Sequence, residues 1–253
     1  MKINVAKTKM AAGQPAFGYA LELGSPIAAE LIAGTGVDFV MVDTQHGSFG
    51  PESTTRALMA IAAAAADAVP MARVARNDYT LIGRLLDEGA VGIVVPMVNA
   101  PGEAKAAAEA CRFPPRGARS WGWGRAGRYG DDYADWIDEQ VFVAVQIESA
   151  EAVTNAEAIL ATPGVDGCWI GPSDLAVSLG LHPRDAAGAD RHERAIAQVL
   201  AACRNTGKIP GYAAYTPEDA LLRADQGFLF LTAGCDLEIL LAGARSGVAQ
   251  LFD

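Results

Sequence analysis

The chain has 253 residues, of which 51% are apolar, and a formal net charge of −10. That length suits one large domain or two small ones, and α/β barrels reach it as one. So acidic a surface argues against nucleic acid or anionic membrane as a partner, but says little about a small substrate, whose binding charge is local.

The opening residues, "MKINVAKTKMAAGQPAF", carry scattered lysines and no apolar run, so no secretory signal is expected. A buried-type strand follows at "AFGYAL" (16–21), then a helix at "SPIAAELIAGTG", with Ser-Pro at its start and glycine at its end. Strand two, "VDFVMVD" (37–43), ends in Asp43 and leads to His46, one of three histidines. The alanine-rich "PESTTRALMAIAAAAAD" reads as helix, and its apolar part is too short to span a membrane. Strand three, "VPMARVA" (69–75), holds Arg73; helix "NDYTLIGRLLDEGA", strand four "VGIVVPMV" (91–98) and helix "APGEAKAAAEACR" come next. Residues 99–140 form a long connection through "RFPPRGARSWGWGRAGRYGDDYADW", whose aromatics predict an ordered lid or an interface.

Strand five, "VFVAVQIE" (141–148), leads to helix "SAEAVTNAEAILATPG", and strand six, "DGCWIG" (166–171), to the turn-like "PSDLAVSLG". Then come helix "RHERAIAQVLAACRNTG", strand seven "IPGYAAY" (209–215), helix "TPEDALLRADQG", strand eight "FLFLTAG" (228–234) and helix "DLEILLAGARSGVAQLF". Eight near-continuous apolar strands alternating with helices predict an α/β chain folded as one (β/α)8 TIM barrel over residues 1–253, with a doubly wound open sheet as the alternative. Cys111, Cys168, Cys203 and Cys235 form no CxxC pair; reduced thiols and a cytoplasmic location are expected.

Barrel enzymes work at the C-terminal ends of their strands, and polar residues gather there. Asp43 and His46 follow strand two, Arg73 lies in strand three, Gln146 and Glu148 share one face of strand five, and Asp174 follows strand six. Each has a plainer reading. Asp174 and Glu148 could cap helices, Arg73 could form a structural ion pair, His46 could be satisfied by loop backbone, and Gln146 could bond a neighbouring strand. The coincidence of these five, with Asp43 beside them, at one mouth favours chemistry instead. Two carboxylates, Glu148 and Asp174, suit Mg²⁺ or Mn²⁺ with waters completing the shell, and zinc is disfavoured for want of Cys and His ligands. A 2-oxo acid chelating that ion would meet Arg73 at its keto oxygen, and His46, oriented by Asp43, would serve as base.

Other motifs carry less. "GWGRAG" matches GxGxxG through Gly122, Gly124 and Gly127 but follows no strand, so it reads as loop. His182 and His192 lie in a polar segment and are expected to be exposed. No lysine lies in the eight strands, which disfavours a Schiff-base aldolase.

Taken together, "DFVMVDTQHG", "MARV", "LLDEGAVGIVVPMV", "RFPPRGARS", "VQIES" and "GCWIGPSDLAVSLG" resemble the metal-dependent class II pyruvate aldolases, of the 4-hydroxy-2-oxoheptanedioate and 2-keto-3-deoxy-sugar-acid type. The resemblance implies reversible cleavage of a 4-hydroxy-2-oxo acid to pyruvate, or hydroxypyruvate, and an aldehyde. It implies metal ligation by Glu148 and Asp174 (Mg²⁺ or Mn²⁺, with Co²⁺ also accepted), enolate stabilisation by Arg73 and proton transfer by His46 and Asp43. It also implies substrate contacts from Gln146, Gly171, Pro172 and Ser173, and Asp87 donated by a neighbouring subunit. The implied assembly is a homo-hexamer, a trimer of dimers with the last helix exchanged. Gln45 stands where many relatives have glutamate, which leaves the proton route open. Tyr212 and Thr216 are candidates for the aldehyde pocket. An acyl-CoA lyase of the citrate-lyase type and a noncatalytic metabolite-binding barrel are the alternatives.

Overall fold

The structure is a computed structural model that describes residues 3–252. A short helix, α1 (Val5–Ala11), is capped by the Asn4 side chain and precedes the barrel. Eight parallel strands then close in chain order: β1 (Ala16–Leu21), β2 (Phe39–Asp43), β3 (Val69–Arg73), β4 (Gly92–Val95), β5 (Phe142–Ile147), β6 (Gly167–Ile170), β7 (Gly211–Ala214) and β8 (Phe230–Cys235). Helices α2 (Pro26–Ala33), α3 (Pro51–Ala63), α4 (Tyr79–Asp87) and α5 (Pro101–Ala110) follow β1 to β4. Helix α6 (Tyr133–Gln140) precedes β5, and α7 (Ala150–Thr154) and α8 (Ala156–Leu160) follow it. Helices α9 (Pro172–Ser178) and α10 (Asp190–Thr206) follow β6, α11 (Pro217–Gln226) follows β7, and α12 (Asp236–Phe252) follows β8. This is the (β/α)8 barrel that the strand count predicts, and no helix among the described residues is long and apolar enough to cross a membrane.

The barrel is filled rather than hollow, because large side chains from some strands occupy space left by small residues on others. Phe39, Phe142 and Phe230 meet in its interior with ring centroids 4.8 and 5.0 Å apart for the two pairs that include Phe230. A Cβ on Gly18 would lie 2.5 Å from the Phe39 ring, and one on Gly92 would lie 2.7 Å from Met71 Cγ. Glycine at these strand positions is thus a packing requirement. Because each helix runs back against its strand, α-to-β loops lie at one end of the barrel and β-to-α loops at the other.

That polarity corrects the reading of the long connection as a lid. Its 3-10 stretch, Gly124–Tyr129, packs on the loop between α4 and β4, where Arg125 Nη1 donates to the Glu88 carbonyl (3.1 Å) and Tyr129 OH to the Gly89 carbonyl (2.7 Å). Trp123, Tyr129, Tyr133 and Trp136 cluster with these residues at the N-terminal end of the barrel, away from the mouth. The GxGxxG match is part of that packing.

Helix α12 is different from the others. Ile239, Leu240, Leu241, Val248, Leu251 and Phe252 are all exposed along it. Apolar side chains also stand bare where a barrel helix after β8 would rest, at Ile27 and Leu31 on α2 and Leu221 on α11.

Candidate active site

Asp43 is the last residue of β2 and sits opposite Arg73, the last residue of β3, in the strand register. Arg73 Nε donates to Asp43 Oδ1 (2.9 Å) and Nη2 to Oδ2, a two-pronged ion pair with both residues buried. An arginine inside an apolar strand is tolerated because its charge is matched there. Nη1 has no hydrogen-bond partner among the described residues, and Arg73 lines the cavity at the mouth. The guanidinium also lies 5.5 Å from the centroid of the Trp169 indole.

The same Asp43 carboxylate accepts the main-chain N–H groups of Gln45 (2.9 Å) and His46 (3.3 Å). It therefore shapes the turn that carries His46, and no hydrogen bond joins it to the imidazole. His46 is exposed and borders the cavity. Gly47 lets the turn close, since a Cβ there would lie 2.4 Å from the Asp43 carbonyl oxygen.

Glu148 follows β5 and is 2% exposed, while Ser149 caps α7 by accepting Ala152 N–H (3.0 Å). The helix-cap reading thus belongs to Ser149, and Glu148 is free to face inward. Its Oε2 accepts Gln146 Nε2 (2.6 Å) and its Oε1 accepts the Met97 main-chain N–H (2.8 Å). Met97 is a non-glycine residue with φ of 55°, a strained backbone that aims its N–H at this carboxylate. A Cβ on Gly171 would lie 2.4 Å from Glu148 Oε2, so glycine there is required for the carboxylate to occupy its place. Burial, with the charge of Asp174 in the same sense, raises the Glu148 pKa from 4.5 to about 7. Asp174, in the first turn of α9, makes no cap bond with its side chain and is exposed at the cavity edge.

The cavity measures about 410 Å³ and is lined by His46, Arg73, Gln146, Gly171, Pro172, Ser173 and Asp174 among others. Seven of the sequence-derived residues thus meet at one mouth, with Glu148 and Asp43 buried directly beneath them. Asp87 does not join them. It closes α4 at the opposite end of the barrel, where Arg119 Nη2 donates to its Oδ1 (2.7 Å).

Three more expectations change. His192 is buried, not exposed, because α10 turns that face onto α9, and its Nε2 meets the Pro172 carbonyl (3.0 Å). Tyr212 points into the barrel wall, where Arg223 Nη2 donates to its hydroxyl (3.3 Å), and Thr216 caps α11. The tyrosine at the mouth is Tyr215, whose OH lies 2.7 Å from Ser173 Oγ. Glu22, the first polar residue after β1, also lines the cavity; burial first, then the adjacent Asp43 charge, raises its pKa. Its position just past a strand end is the signal that marked Asp43.

No group of three His, Cys, Asp or Glu side chains poised to hold a metal occurs among the described residues. The donors present nonetheless fit a hard cation. Two carboxylates adjoin one cavity, Gln146 Oε1 is buried without a partner among the described residues, and Glu148 is pushed toward its neutral form by burial and by the charge of Asp174, which Arg73 only partly offsets. Waters and substrate oxygens would complete such a shell.

Residues 18–242 match the profile of the HpcH/HpaI aldolase/citrate lyase family. The chain is 38% identical over 252 residues to a 4-hydroxy-2-oxovalerate aldolase of Rhodococcus jostii (strain RHA1), covering 99% of this chain and 96% of that one. It is 36% identical over 254 residues to a 4-hydroxy-2-oxo-heptane-1,7-dioate aldolase of Escherichia coli, covering 98% and 94%. A crystal structure of an HpcH/HpaI aldolase/citrate lyase family protein from Burkholderia cenocepacia J2315, 34% identical, superposes with a TM-score of 0.92 over 99% of this chain and 100% of that one.

Proposed function

The chain belongs to the HpcH/HpaI aldolase/citrate lyase family and is a carbon–carbon lyase of the aldolase type, and from that premise we propose that it reversibly cleaves a 4-hydroxy-2-oxo acid to pyruvate, or hydroxypyruvate, and an aldehyde. The observation that carries this reading is the buried Glu148 carboxylate beneath a cavity that also presents Asp174 and Arg73. Glu148 and Asp174 would hold a divalent cation, Mg²⁺ or Mn²⁺. When bound, such a cation supplies a Lewis acid for the keto oxygen of the 2-oxo acid.

The remaining work falls to the chain's own residues. In the addition direction the methyl carbon of pyruvate gives up a proton to the His46 imidazole, bonds to the aldehyde carbon, and the new alkoxide takes that proton from the imidazolium. Arg73 presents Nη1 to the negative charge that develops on the keto oxygen. Asp43 holds that guanidinium in place and keeps the His46 turn closed. The His46 imidazole takes the proton from the C4 hydroxyl during cleavage and returns it during addition. Gln146 and the turn of Gly171, Pro172 and Ser173 orient the carboxylate end. Among the described residues, the one arginine or lysine lining the cavity is Arg73, so an acyl-CoA substrate would find no basic surface there for its phosphates.

Asp87 enters only through a second copy of the chain, as an acid brought toward His46. The bare apolar face of α12 supports exchange of that helix between subunits in a homo-hexamer, a trimer of dimers. Four free, buried cysteines support a cytoplasmic location. The test is aldol addition of pyruvate to a panel of aldehydes after removal of metal with a chelator. Activity lost on removal and restored by Mg²⁺ or Mn²⁺ supports the reading, and full activity in metal-free protein contradicts it.

A further inference from the structure

The cavity has two chemically distinct halves. Arg73, Gln146, Trp169 and the turn at Gly171 line the side built by β3, β5 and β6. The side built by β7, β8 and β1 is lined by Tyr215, Glu22 and Glu238 above a floor of small residues, Ala20, Ala213 and Gly234. A Cβ on Gly234 would lie 3.6 Å from Glu238 Oε2, which places that carboxylate directly over the glycine. Among the described residues no lysine or arginine lines this second half, and two of the Arg73 N–H groups are committed to Asp43.

The cavity is built to receive a polar ligand. Gln146 Oε1 and Trp169 Nε1 both lack a hydrogen-bond partner, and the two residues are 1% and 4% exposed in its wall. Both lie in the first half, where the 2-oxo acid sits under the proposed function. The second half is then left for the aldehyde.

We propose that this second half is an acceptor subsite selective for uncharged, hydroxyl-bearing aldehydes, with Glu22 and Glu238 as its specificity-determining residues. Ionised carboxylates accept hydrogen bonds and donate none. They reward an aldehyde whose hydroxyls donate, and the Tyr215 hydroxyl adds a group able to do either. An aldehyde ending in its own carboxylate would lie against two acidic side chains with no lysine or arginine among the described residues of that half to answer it, and that mismatch is how the site discriminates. The small floor residues leave room for a chain of several carbons, so the exclusion is by charge and not by size.

The inference rests on the aldolase reading, and the two are separated by one set of assays. Wild-type protein with Mg²⁺ is tested for exchange of the pyruvate methyl protons in D2O with no aldehyde present. It is then assayed for addition of pyruvate to D-glyceraldehyde, propanal and succinic semialdehyde. The expected order of kcat/KM is glyceraldehyde, propanal, succinic semialdehyde, with at least a roughly tenfold span. The Glu22→Gln, Glu238→Gln double variant is expected to narrow the glyceraldehyde-to-succinic semialdehyde ratio by about fivefold or more. Absence of methyl exchange would remove the aldolase reading and the subsite with it. Exchange with succinic semialdehyde equal to or better than glyceraldehyde would overturn the subsite alone. A ratio that the double variant leaves unchanged would overturn the assignment to these two glutamates, whatever the wild-type preference.

Discussion

Asp43 and Arg73 are register partners on adjacent strands, and the guanidinium of one holds both oxygens of the other in a buried pair. Through the same carboxylate, Asp43 also anchors the main chain of the turn bearing His46. One acid therefore fixes the cationic group and the candidate base with respect to each other.

Arg73→Lys keeps the charge but cannot reproduce the fork. It is expected to lower kcat/KM by about 10²-fold or more, as loss of an aimed donor does in other active sites. Arg73→Ala leaves Asp43 buried and unpaired, at a cost of about 3–5 kcal/mol of stability. Thermal melts beside kinetics separate the two effects: the lysine variant should lose activity with a much smaller drop in Tm. Near-normal turnover in Arg73→Lys would rule out a positioned Nη1.

Burial, reinforced by the charge of Asp174, raises the Glu148 pKa from 4.5 to about 7. A carboxyl with a higher pKa folded than unfolded makes the native state bind its proton more tightly. Stability from this source is full below about pH 4.5 and is lost as pH rises through about 7. In chelator, the wild type should therefore lose stability relative to Glu148→Gln between pH 5 and 8, on the order of 2–3 kcal/mol. Mg²⁺ at pH 8 should restore it in the wild type and not in the variant. Parallel pH profiles for the two proteins would contradict the assignment of a strained, cation-seeking carboxylate.

Trp169 offers an indole N–H with no partner in a wall of the cavity. Trp169→Phe removes that donor and keeps a ring beneath Arg73. Deleting an unsatisfied buried group should leave Tm unchanged or raised, while KM for the 2-oxo acid rises about three- to tenfold if the N–H meets the ligand. A lowered Tm with unchanged KM would assign the indole to packing alone.

The bare apolar face of α12 predicts association. Light scattering should give a mass that is a multiple of the single chain, and Leu240→Asp with Leu251→Asp should shift it toward monomer. A wild-type monomer at micromolar concentration would leave this face without a partner.

Most of the barrel is readable from the sequence because strands buried on both faces leave unbroken apolar runs. The run at 16–21 coincides with β1, and 37–43 overshoots β2 by two residues. Strands four and seven are shorter than their runs, 91–98 against Gly92–Val95 and 209–215 against Gly211–Ala214, because Pro96 and Pro210 interrupt the pairing. Helix α1 escapes notice because its buried face is only Ala6 and Met10. The mouth residues are legible because a charged group at the end of an apolar strand is costly to bury without a partner or a ligand. The second half of the cavity is not, because Tyr215 and Glu22 stand one residue beyond their strands and nothing in the sequence tells which way each turns. His192 is misread for a related reason: it lies in a polar segment, but helical rotation carries it under α9.

Every step proposed for the lyase depends on a cation site formed by Glu148 and Asp174 beside Arg73. Titration of metal-free protein with Mn²⁺, read by electron paramagnetic resonance, probes that site without relying on turnover. One Mn²⁺ per chain is expected, with affinity lowered about tenfold or more in Glu148→Gln and in Asp174→Asn. Mn²⁺ bound equally well by both variants, or not bound by the wild type at millimolar concentration, would refute the site.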